Sequence, residues 1–215
     1  MLTWKSAVPD NNEQREKKRE TLLREAAAVF TRRGFHGTSL ADIAENLGVT
    51  KAALYTYVES KDELLFLCHT AAMDAAFESL EEALAQGTNG REKLILALRK
   101  YLERIIGKQS FCAIILEEGT LTPEDTETII GRRDLFEREM RKLVLEGIAD
   151  GSIVRCNPRL VVFAMLGAVN WVLKWFSLDG MWNEKQLAFA LVQFLERALS
   201  TQPSEALVED PALYS

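Results

Sequence analysis

Thr38-Ser39-Leu40-Ala41-Asp42-Ile43-Ala44-Glu45-Asn46-Leu47-Gly48-Val49-Thr50-Lys51-Ala52-Ala53-Leu54-Tyr55-Thr56-Tyr57-Val58 is the stretch on which the fold turns. Apolar residues recur at helical spacing on both sides of Gly48: Leu40, Ile43, Ala44 and Leu47 before it, Val49, Leu54 and Val58 after it. The spacing predicts two short helices, 39–47 and 50–58, joined by a tight turn. The second helix then turns Thr50, Lys51, Ala52, Tyr55, Thr56 and Tyr57 outward. Hydroxyls, a cation and a small methyl suit contacts in a major groove. An ordinary αα-hairpin with a solvated outer face shares this layout, and on this stretch alone it is the commoner outcome.

Working outward, helical periodicity continues in both directions and no strand pattern breaks it. A first helix is expected over 13–33, ended by Gly34. Ser60-Lys61-Asp62-Glu63 reads as a capping box that starts a helix running to about residue 86. Further helices are expected over 91–107, 110–118, 122–150, 157–177 and 183–200, the later ones opened by Thr122-Pro123, Asn157-Pro158 and Asn183. The fold class is therefore all-α, with nine helices and a frayed, disordered tail over 201–215.

Composition narrows the function. Hydrophobic residues at 47% and charged ones at 27% supply a core and exclude wholesale disorder. Five prolines and twelve glycines are too few for a many-stranded sandwich or barrel. The longest apolar run, 160–169, is half of the ~20 residues that span a bilayer. Met1 to Asp10 lacks the apolar segment of a signal peptide, so the expected location is cytoplasmic, with no membrane partner. Cys68, Cys112 and Cys156 are scattered, and His36 and His69 are the only histidines, so all five are read as structural. Neither a metal site nor a histidine-based catalytic triad has its material, and no cofactor is expected.

Charge is distributed unevenly. Up to Lys61 there are ten Lys and Arg against eight Asp and Glu; beyond it, sixteen against twenty-four. An acidic chain with a locally basic end suits a polyanion at that end.

The run Gly34-Phe35-His36-Gly37-Thr38-Ser39, then Ile43-Ala44, Gly48-Val49-Thr50-Lys51, Leu54-Tyr55 and Ser60-Lys61-Asp62-Glu63-Leu64, resembles in order and spacing the N-terminal pattern of the TetR family of bacterial repressors. The resemblance covers about fifty residues. It implies a three-helix helix-turn-helix domain over 13–60, then an effector-binding and dimerising domain of about six helices over 61–200. Carried over by position, it implies phosphate contacts from Thr38, Tyr55, Tyr57 and Lys61, and places Thr50, Lys51 and Ala52 near bases; Ser39 and Thr56 join the DNA-facing set. Two positions depart from the family pattern: Ala52 stands where glycine is frequent, and Val58 where phenylalanine is frequent.

Farther along, Glu117-Glu118-Gly119, Arg132-Arg133, Gly151-Ser152-Ile153 and Asn170-Trp171-Val172-Leu173-Lys174-Trp175-Phe176 resemble members that control fatty-acid or sterol degradation, which implies an acyl-CoA thioester as effector. An apolar pocket with a few polar anchors is expected from His69, Met73, Phe77, Tyr101, Arg104, Phe111, Ile115, Phe136, Asn170 and Lys174. The aromatics and Met73 read first as plain core and His69 as a structural histidine, while Arg104 and Lys174 could equally snorkel to solvent.

The last two helices carry surplus apolar surface. Leu160 to Val169 is apolar on every side, and Leu187, Phe189, Leu191, Phe194 and Leu195 exceed what one face needs. Pairing both helices with their symmetry mates in a four-helix bundle would bury the excess as a homodimer; burial against each other within one chain is the alternative. The function that the resemblance implies is a ligand-responsive repressor that binds double-stranded operator DNA, and not an enzyme. An all-helical enzyme acting on an acyl substrate and a partner-binding helical protein are the competing classes.

Overall fold

Helix starts in this chain are written in short polar side chains. Ser39, Thr50, Asn89, Asn157 and Asn183 each accept a backbone N–H two or three residues on, which satisfies donors that a helix leaves open. The computed structural model describes residues 12–107, 119–177 and 180–202. Eight α-helices run through them: α1 Asn12–Arg33, α2 Leu40–Leu47, α3 Lys51–Leu54, α4 Lys61–Gln86, α5 Gly90–Ile106, α6 Pro123–Asp150, α7 Pro158–Trp171 and α8 Glu184–Arg197. A 3-10 turn, Val172–Lys174, follows α7. Among the described residues there is no strand, only an isolated antiparallel bridge between Ile153 and Ser200. The fold is all-helical, as the periodicity requires. The expected helix over 110–118 lies outside the described residues.

The chain divides into two compact units, and the division falls inside α4, after Ala72, and inside α6, after Ile130. The first unit packs Leu22, Ala26, Val29 and Phe30 of α1 with Ile43 of α2, Leu54 of α3, Val58, and Leu64, Leu65 and Cys68 of α4. Val58 is buried, so the smaller side chain at this position still seats in the core beneath α3. The Cys68 thiol is buried and donates to Leu23 O.

In the second unit, α5 packs on α7 and α8. Its Leu94, Leu98, Leu102 and Ile105 meet Met140 and Val144 of α6, Val162, Met165 and Val169 of α7, and Leu187 and Val192 of α8. At the start of α5 the backbones of Gly90 and Gly147 touch so closely that a Cβ on Gly90 would run into the Gly147 chain. The Asp150 carboxylate accepts the Gly90 N–H at 2.8 Å beside this crossing. Arg91 secures the far end of the unit, with Nη1 donating to Ser200 Oγ at 2.7 Å and to Gln202 O at 3.0 Å. The first two residues of the expected tail, Thr201 and Gln202, are thereby fastened; 203–215 lie outside the described residues.

Local structure departs from the sequence reading at three places. The helix expected over 50–58 is α-helical only through Leu54. The Thr56 hydroxyl donates to Ala53 O at 2.7 Å, and the Tyr57 N–H pairs with Leu54 O instead, so the chain tightens into a turn. At α4 the box is half made: Glu63 N–H donates to Ser60 Oγ, but the Glu63 carboxylate accepts from Glu59 N rather than from Ser60. Complete boxes stand at α2, where Ser39 and Asp42 serve each other's backbone, and at α8, where Asn183 and Gln186 do the same. The helix expected over 157–177 leaves α-geometry at Trp171.

Candidate nucleic-acid interface and effector cluster

The outward face of the first unit forms because Leu54 and Val58 are drawn inward and leave the residues between them outside. Thr50, Lys51, Ala52, Tyr55 and Thr56 are exposed together. Thr50 caps α3 through its oxygen, accepting the Ala53 N–H, which leaves its own O–H to donate outward. The Lys51 ammonium stands 5.7 Å from the Tyr55 ring centroid, so cation and phenol face solvent as a pair. Ser39 is exposed one helix earlier, with Arg32 and Arg33 at the end of α1 nearby in sequence. Arg33 reaches Asp42 at 3.5 Å, and the Ser39 hydrogen bonds hold the Asp42 carboxyl below its usual range, with Arg33 adding to the effect.

Three residues expected on this face sit differently. Tyr57 is half-buried against the core of the unit. Thr38 is buried, and its hydroxyl donates to Gly34 O at 2.8 Å. Lys61 is half-buried, with Nζ donating to Phe35 O and Thr38 O, each at 3.0 Å.

The residues expected to line a pocket divide. His69 is buried in the first unit. In the second unit, Met73, Phe77, Tyr101 and Phe136 share one cluster. The Phe136 ring lies 5.7 Å from both Phe77 and Tyr101, edge-on to the former. Tyr101 donates its hydroxyl to Asn170 Oδ1 at 3.0 Å, so α5 and α7 are joined by a polar bond beside the rings. Burial pushes the Tyr101 phenol up to about 12, and the positive Arg133 works against that rise.

Arg104 and Lys174 do not join this cluster. Arg104 is claimed by α4, donating to Ser79 Oγ at 2.7 Å and to Glu82 at 2.6 Å. Lys174 is exposed on the 3-10 turn. Phe111 and Ile115 lie outside the described residues. The cations beside the rings are Arg132 and Arg133, which the pocket expectation omitted. Arg132 stands 5.7 Å from the Phe77 ring and pairs with Asp74 at 2.6 Å; burial lowers the Arg133 guanidinium from its ordinary value. Their spacing was the available signal, since residues three and four before Phe136 share its helix face.

Among the described residues no cluster of three or more metal-ligating side chains occurs, and no helix is long and apolar enough to cross a membrane.

A helix-turn-helix with a polar, basic outer face, followed by a separate helical unit, defines a DNA-binding transcriptional regulator. The chain belongs to the TetR family: residues 22–68 match "Bacterial regulatory proteins, tetR family" and residues 87–199 match "Tetracyclin repressor-like, C-terminal domain". It is 27% identical to the transcriptional repressor KstR2 of Mycolicibacterium smegmatis, over 84% of this chain and 89% of the relative. It is 24% identical to the fatty acid metabolism regulator protein of Bacillus subtilis, over 85% of this chain and 95% of the relative. Among solved structures, apo AibR superposes with a TM-score of 0.69 at 29% identity, covering 82% of this chain and 97% of AibR. AibR in complex with isovaleryl coenzyme A and operator DNA gives 0.68 at the same identity and coverage. KstR2 and the Bacillus subtilis protein are named as regulators, which sets aside the acyl-substrate enzyme.

Proposed function

We propose that this chain is a homodimeric repressor that leaves a palindromic operator when an acyl-CoA thioester, or a similarly large apolar anion, binds its second unit. The likeness to AibR, solved with isovaleryl coenzyme A and operator DNA, carries the effector class. Residues 13–60 form the DNA-binding domain in this reading and 61–200 the effector-binding and dimerising domain. Lys51, Ala52 and Thr50 approach base edges, and Ser39, Tyr55 and Thr56 meet the phosphate backbone. The Ala52 methyl, exposed on α3, has a natural partner in a thymine methyl.

The dimer is supported by apolar surface in the wrong place for a monomer. Leu160, Phe163 and Trp171 on α7 are 67%, 53% and 63% exposed, and Phe194 on α8 is 69% exposed. Ala164 and Gly167 share the exposed side of α7, and nothing lies within 4 Å of where a Gly167 Cβ would be, so a second backbone could approach closely. Two such faces bury one another about a two-fold axis, which matches a palindrome.

Release follows when the effector favours a spacing of the two heads that misses successive grooves. Turning a mostly bound population into a mostly free one needs a differential affinity of about 5.5 kcal/mol. Thermal-shift measurement with acyl-CoAs of graded chain length, beside the matching free acids and sterols, tests the class. Stabilisation by acyl-CoAs and not by coenzyme A alone is the expected result, and none by any acyl-CoA would end the proposal.

A further inference from the structure

The Lys61 ammonium lies within a turn rather than on the outer face. It donates to Phe35 O and Thr38 O, each at 3.0 Å, and stands 4.0 Å from the Phe35 ring centroid. The same turn is fastened from inside, by Thr38 N–H to Phe35 O at 3.2 Å and by the Thr38 hydroxyl to Gly34 O at 2.8 Å. Phe35 and Thr38 are both buried. Thr38 immediately precedes Ser39, the cap of α2, and Lys61 immediately follows the segment that leaves α3. The Lys61–Thr38 bond therefore closes the two ends of residues 39–60 on each other, and those residues are the whole reading element.

From this geometry we infer that Lys61 is a positioning residue for DNA binding: it cinches the helix-turn-helix at its base and holds the α2 start and the α3 face in one register. The inference rests on the reading of this unit as DNA-binding. Two of the three ammonium donors are given to carbonyls of the turn, so the side chain has a role there that needs no phosphate. A phosphate contact and a clamp differ in what they do without DNA and in how they respond to salt.

The test uses the full chain and a duplex that the wild-type protein selects from a random-sequence pool; failure to select any duplex would refute the DNA-binding reading itself. Lys61→Met is expected to weaken binding about tenfold, as loss of a charge-assisted hydrogen bond does, with the slope of log Kd against log salt unchanged. The Thr38 amide should exchange faster in the DNA-free variant. Phe35→Leu removes the ring under the ammonium but no charge, and is expected to weaken binding in the same direction with the same salt slope. Affinities are read well below each variant's melting temperature. A salt slope reduced by about one with unchanged Thr38 exchange would make Lys61 a phosphate contact and overturn the inference. A lowered melting temperature with unchanged affinity in both variants would overturn it as well, leaving only a structural role.

Discussion

The Tyr101 hydroxyl on α5 donates to Asn170 Oδ1 on α7 at 3.0 Å, while the Tyr101 ring is buried against Phe136. Replacing Tyr101 by Phe leaves the ring and deletes the bond, at a cost of about 1 kcal/mol in urea unfolding at neutral pH. Burial raises this phenol from 10.0 to about 12, so the fold favours its protonated form. Its contribution is complete below pH 10 and is lost as pH rises toward 12. The stability difference between wild type and Tyr101→Phe should shrink over that interval; a constant difference would show that the phenol is not desolvated.

Two glycines make opposite predictions. A Cβ at Gly90 meets the Gly147 backbone and Leu143 O, none of which can yield as a flexible side chain would. Gly90→Ala should destabilise by about 2–3 kcal/mol. Gly131 lies in α6 with nothing within 4 Å of its absent Cβ, so Gly131→Ala should stabilise by about 1 kcal/mol through helix propensity. Urea midpoints of both variants check the pair.

Lys51 and Tyr55 stand together on the exposed face yet should fail differently. Tyr55→Ala is expected to weaken binding to all duplexes alike. Lys51→Ala should relax preference at one base position of each half-site, by about 1–3 kcal/mol of discrimination. Binding to a set of single-base operator variants in matched salt separates these outcomes, and an unchanged preference for Lys51→Ala would remove its base-reading role.

Helix boundaries were legible because they are written locally. Asn157, Asn183 and Thr122 cap as their positions imply, and Gly48 closes α2 in the left-handed region at φ 65°. What escaped the sequence was competition and long-range pairing. Nothing in the order Ala53-Leu54-Tyr55-Thr56 announces that the Thr56 hydroxyl will bond Ala53 O while the Tyr57 N–H turns to Leu54 O. Arg104 looks like an effector anchor until α4 brings Ser79 and Glu82 to it. Lys61 looks like a surface cation until Phe35 and Thr38, 26 and 23 residues away, fold beneath it. Tyr101, Phe136 and Phe77 stand out singly in the sequence, but that they meet, with Arg132 and Arg133 beside them, depends on how α4, α5 and α6 pack.

The exposed apolar faces predict the assembly state. Phe163→Glu and Phe194→Glu place a charge on positions that are exposed in a single chain and that the proposed dimer would bury. Each should fold but run at the monomer mass of 24.2 kDa by light scattering, while the wild type runs at twice that. Retention of the wild-type mass by both variants would place the interface elsewhere.

Fluorescence anisotropy reads whether an effector that binds the second unit, as proposed, releases DNA from the first. Wild-type protein saturates a labelled duplex that it selects from a random-sequence pool, and acyl-CoAs of graded length are added at constant salt. Anisotropy is expected to fall to the free-duplex value at micromolar acyl-CoA, with coenzyme A alone having no effect. Anisotropy unchanged by every acyl-CoA, on a duplex the protein binds tightly, would contradict it.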